Sequence, residues 1–70
     1  MNIEDKYYKL LNKEYFLHLA LDKLKEADKL LQEAEDDSLC LELSYVIENT
    51  HKNIKFLKEQ SDMLKEEICG

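Results

Sequence analysis

The sequence predicts an all-α fold: an antiparallel two-helix hairpin with coiled-coil-like packing, dimerising into a four-helix bundle. Three observations predict it. Apolar residues recur at alternating steps of four and three along two long stretches, the signature of a heptad seam. The phase of that repeat breaks once, at Glu33-Ala34-Glu35-Asp36-Asp37-Ser38. Beside the seam stand more large apolar side chains than two helices can cover, which calls for a further helical surface.

The first helix is expected over about residues 3–34. Asn2 is suited to cap it, with Asp5 three residues on. Its stripe runs Ile3, Tyr7, Leu10, Glu14, Leu17, Leu21, Leu24, Asp28, Leu31, with Ile or Leu at every d position and mixed residues at a. The two acids at a positions, Glu14 and Asp28, are expected at the edge of the seam, Glu14 reaching His18 and Asp28 reaching Lys25 or Tyr45.

A turn is expected over about residues 35–37, and a second helix over about residues 38–68. Asp36, Asp37 and Ser38 are the candidate caps, and negative charge is favourable at a helix N-terminus. The stripe resumes as Cys40, Leu43, Ile47, Thr50, Ile54, Leu57, Ser61, Leu64, Ile68. Extending the first heptad through the acidic stretch would place Glu35 and Glu42 at a positions instead of Cys40, so one unbroken helix is the weaker reading. It stays in view because a turn without Gly or Pro is unusual.

Folding the chain at the acidic stretch aligns the two stripes. Ile3 meets Ile68, Tyr7 meets Leu64, Leu17 meets Ile54, Leu21 meets Thr50 and Leu31 meets Cys40, with a constant sum of residue numbers, as antiparallel packing of a against d requires. The flanks follow: Glu4 faces Lys65 and His18 faces His51 on one side, and Lys6 faces Glu67 on the other. Exposed ion pairs of this kind contribute only tenths of a kcal/mol.

The 70 residues form a single domain, and so short a chain buries little surface unaided. Ala20, Ala27 and Ala34 recur at heptad spacing at g positions, next to Phe16 and Leu30 at c; the matching side of the second helix carries Leu39, Val46, Phe56 and Met63. These residues are the expected partner interface. A two-fold homodimer completes them most economically, because an isologous patch is its own complement. A heterologous protein helix is the other candidate occupant. Tyr8, Leu11 and Tyr15 form a smaller cluster on the opposite flank.

The formal net charge of -6 argues against nucleic acid as a partner, since phosphate recognition needs a basic surface. No apolar run approaches the length of a membrane span, and the N-terminus lacks a signal-peptide pattern, so no membrane association and a cytoplasmic location are expected. Cys40 and Cys69 lie roughly 44 Å apart along one helix, far beyond the ~7 Å between Cα atoms that a disulfide allows. Cys40 is expected in the core and Cys69 at an exposed end.

One constellation has ligand chemistry. His18 and His51 face each other, Asp22 follows His18 by one turn, and Glu48 precedes His51 by three residues. Imidazoles with carboxylates are ligands for divalent metals, so His18, His51, Asp22 and Glu48 are the candidate metal set. Glu48-Asn49-Thr50-His51 resembles the Glu-x-x-His element of di-iron carboxylate bundles, although Glu48 stands at an outward b position where those ligands project inward.

An enzyme is not expected: a lone hairpin has no water-excluding pocket, Cys40 is expected to be buried, and no serine has a base at a motif spacing. No cofactor is expected. Three functions follow: an interaction module acting as adaptor, chaperone-like protein or inhibitor; a metal-binding bundle; and an acidic inhibitor that presents Glu33, Glu35, Asp36 and Asp37 to a basic nucleic-acid-binding protein. In outline, a short acidic hairpin that pairs with helices resembles plasmid copy-number repressors and secretion co-chaperones, but architecture alone does not carry function.

Overall fold

Asn2 opens the first helix: its backbone is extended, and its side-chain oxygen accepts a hydrogen bond of 2.9 Å from the Asp5 amide. That bond satisfies one of the amide donors left free at a helix start. In the computed structural model, which describes residues 2–69, helix α1 spans Ile3–Glu33 and helix α2 spans Asp37–Cys69. The two helices pack on each other as a hairpin, and the described residues contain no strand.

Three residues make the reversal. Ala34 ends α1 in helical geometry, and Glu35 turns left-handed at φ 58°. The Glu35 amide donates to the Gln32 carbonyl at 3.0 Å and the Asp36 amide to the Leu31 carbonyl at 3.2 Å. These two bonds form a Schellman closure, which usually places glycine in the left-handed position. Asp36 then starts α2, its carboxylate accepting from the Leu39 amide at 3.1 Å and its carbonyl from the Cys40 amide at 3.0 Å. One residue therefore finishes the first helix and caps the second.

The expected seam is the less exposed side of both helices. Leu21, Thr50, Ile54 and Ser61 are buried, and the remaining stripe residues from Ile3 to Ile68 are half-buried. Thr50 and Ser61 satisfy their hydroxyls within their own helix, donating to the Val46 carbonyl at 2.8 Å and the Lys58 carbonyl at 2.9 Å. Among the described residues no buried side-chain polar atom lacks a partner. Asp28 is held at the seam's edge by Gln32, whose amide donates to it at 2.9 Å. Gln32, one turn on, is thus its partner rather than Lys25 or Tyr45, in keeping with the proximity of side chains four apart on a helix.

The result is a rod of 51 × 17 × 14 Å. Its core is thin. Leu21 and Ile54 are the buried apolar residues, and no described side chain is wholly shut away. Cys40 is half-buried rather than a core thiol, like most of the seam, because two helices cover only one side of each other. Among the described residues, no helix is long and apolar enough to cross a membrane.

Candidate interaction face

Around each helix, the g positions adjoin the d side of the seam and the c positions lie outside them. In an antiparallel pair the g and c positions of both helices share one side of the rod. Packing α1 on α2 uses up the seam and leaves this side to water. Phe16 is 64% exposed, Leu30 70%, Phe56 57% and Met63 67%, with Leu39 and Val46 also exposed. Ala20 and Ala34 are exposed and Ala27 is half-buried. These are the residues singled out from the sequence, and the fold brings them to one face.

The structure adds residues that the heptad reading passed over. Leu19 is exposed at an f position one turn from Phe16, where it widens the apolar band, and Tyr45 is exposed at an f position of α2. A helical wheel would have placed them beside the c positions; a search confined to seam and flanks does not reach them. Leu41 is exposed on the other side of the rod, as are Tyr8 and Tyr15, while Leu11 between them is half-buried. Phe16 leans edge-on against Tyr15, ring centroids 5.5 Å apart, which shields part of each ring in the isolated hairpin.

Total surface gives the face its weight. The hairpin exposes 5638 Å², whereas compact monomers of 8.3 kDa expose roughly 4,600 Å², leaving an excess of roughly 1,000 Å². The radius of gyration, 15.9 Å, likewise exceeds the roughly 11 Å of a compact chain this long. An ordinary protein interface removes about 800 Å² from each partner. The excess is thus of the size that one such interface covers.

Toward the open end the face becomes a shallow groove of about 420 Å³ whose lining includes Lys6, Lys9 and Lys13 from α1 and Gln60, Met63 and Glu67 from α2. Glu4 and Lys65 share a second concavity on the opposite flank. Neither Glu4–Lys65 nor Lys6–Glu67 closes to an ion pair. Among the described residues the ion pairs run along single helices, Lys23–Glu26 at 3.6 Å and Glu48–Lys52 at 3.4 Å. All four of these side chains are well exposed, so the pairs contribute little to stability.

His18, Asp22, Glu48 and His51 are all exposed, and Glu48 is engaged by Lys52. Among the described residues no three His, Cys, Asp or Glu side chains gather as a group that could hold a metal ion. On a two-helix rod, Asp22 and Glu48 at b positions diverge from the seam, and no third helix supplies a ligand to close the site. Cys40 and Cys69 are unpaired. Partial burial, followed by the carboxylates of Asp28, Asp37 and Asp36, pushes the Cys40 thiol above its ordinary pKa, which makes it a poor nucleophile at neutral pH.

No protein family, curated protein or solved structure matches the chain.

Proposed function

We propose that the chain is a non-enzymatic protein–protein interaction module of the cytoplasm, a hairpin that pairs with a second copy through its g/c face to make a four-helix bundle. It acts by presenting or sequestering helical surface, as an adaptor, chaperone-like protein or inhibitor. The exposure of Phe16, Leu30, Phe56 and Met63 along one side of a rod with so thin a core carries the reading. Alanines at g positions allow a facing helix to approach, and the aromatic and sulfur-containing side chains anchor the contact. Two unpaired cysteines suit a reducing compartment.

Phe56→Asp tests it. Burying such a side chain is worth about 1.5–3 kcal/mol, and a two-fold dimer contains it twice, so dimerisation should weaken by more than about a hundredfold. Sedimentation equilibrium of the parent chain should show a dimer, and of the variant a monomer of reduced helicity. A parent chain that stays monomeric at high concentration, or a variant with an unchanged profile, removes this face from the function.

A further inference from the structure

We propose that the two hairpins of the bundle run parallel, with the two-fold axis along the rod. Each α1 then lies on α2 of the other copy, and both turns stand at one end. The inference rests on the self-association just described and adds to it the direction and register of the pair.

The face is graded along its length. Toward the turn its g positions carry Ala27, Ala34, Leu39 and Val46. Toward the open end they carry Lys6, Lys13, Gln60 and Glu67, all four exposed. Among the described residues neither lysine, nor Glu67, is in an ion pair. Such a surface is best met by one with the same gradient, apolar to apolar and polar to polar.

An axis along the rod supplies that match and fixes the register. It rotates the copy without sliding it, so each residue of α1 meets the residue at its own level on α2 of the second copy. Ala27 meets Val46 and Ala34 meets Leu39. On the outer side of that line Phe16 meets Phe56, ring to ring. Lys6 meets Glu67, and Lys13 meets Gln60. Glu42 comes beside Leu30 at the rim, where its carboxylate stays in water. The acidic turns lie side by side at the tip, where salt screens them.

With the axis across the rod, α1 lies on α1 and α2 on α2. Full overlap then sets Leu39 against Glu67 and Val46 against Gln60 of the second copy. Sliding the copies until Ala20 meets Ala27 and Leu39 meets Phe56 mends this. That slide is about 16 Å and uncovers roughly a third of a rod 51 Å long. The surface excess of the hairpin is about that of a whole interface, so the arrangement that covers the full face is favoured.

Lys6→Glu and Glu67→Lys, made in separate chains and then mixed, read the direction. In parallel copies each variant's homodimer holds two like-charged contacts between positions 6 and 67, and the mixed dimer holds two opposite ones. Clashes within a hairpin are the same in both and cancel. Native mass spectrometry in about 0.15 M salt, where charges act over only about 8 Å, follows the mixture with one variant isotope-labelled. The mixed dimer should be enriched about tenfold over random pairing. With the axis across the rod, positions 6 and 67 of the two copies do not meet, and pairing is random. A spin label on Cys69 in a Cys40→Ala background gives an independent reading, since Cys69 is exposed and closes α2 at the open end. Parallel copies hold the two labels within about 35 Å, whereas an axis across the rod sets them about 50 Å or more apart. Random pairing, or the long distance, overturns the direction and leaves the bundle standing. A chain that is monomeric from the outset overturns both.

Discussion

Glu35→Gly probes the reversal on which the hairpin depends. Glu35 holds φ at 58° so that its own amide and that of Asp36 can reach the carbonyls of Gln32 and Leu31. A left-handed backbone costs an L-residue with a side chain about 1–2 kcal/mol. Glycine removes that cost but forfeits about 0.5–1 kcal/mol through its greater freedom in the unfolded chain. The net expectation is a gain of about 0.5–1 kcal/mol, or roughly 2–8 °C in Tm for a domain of this size. Removing a carboxylate from a crowded acidic turn adds stability by itself, so Glu35→Gln serves as the control that changes charge and keeps the side chain. Urea unfolding followed by circular dichroism, at one fixed chain concentration because association shifts the midpoint, measures all three proteins. Glycine should exceed glutamine in stability. If the two variants match, or glycine lies below, the left-handed closure at Glu35 is not what turns the chain.

The other predictions concern cap, seam and thiols. Asp36→Ala removes the cap of α2 and should cost about 1 kcal/mol in the same assay, with the loss of helicity centred on the first turn after the break. Leu21→Ala opens the best-buried apolar position and should cost about 2–3 kcal/mol, the low end for such a truncation because a two-helix seam can partly close over the gap. Iodoacetamide at neutral pH should alkylate exposed Cys69 well before Cys40, as mass spectrometry of the digested chain can show; equal rates would contradict the raised Cys40 pKa. Because that raised value means the folded chain holds the thiol proton more tightly than the unfolded one, stability should be intact below the ordinary thiol pKa, about 8.5. It should fall as pH climbs through the Cys40 value, and this component of the fall should vanish in Cys40→Ala.

Helices and seam were legible because a heptad is a local pattern: residues three and four apart share a face whatever the rest of the chain does. Leu21, Ile54 and Ser61 could therefore be placed inside from spacing alone, and Phe16, Leu30, Phe56 and Met63 outside it. The candidate metal ligands show where spacing stops. Register sets His18 and His51 on the same flank, but whether neighbouring carboxylates converge on them depends on which way b positions splay from a two-helix core. They splay outward, and Glu48 takes Lys52 instead.

By itself, the sequence determined that there are two long helices, which stripe of each is apolar, and that their phases disagree across an acidic break. Only the tertiary structure decided how a chain without an internal glycine or proline turns there, because left-handed geometry at Glu35 is repaid by carbonyl partners that exist only once α1 has ended and Asp36 has begun to cap α2. It alone decided, too, how much apolar surface stays in water. Burial depends on what two rods of 51 Å can physically cover, and they cover one side of each other and no more.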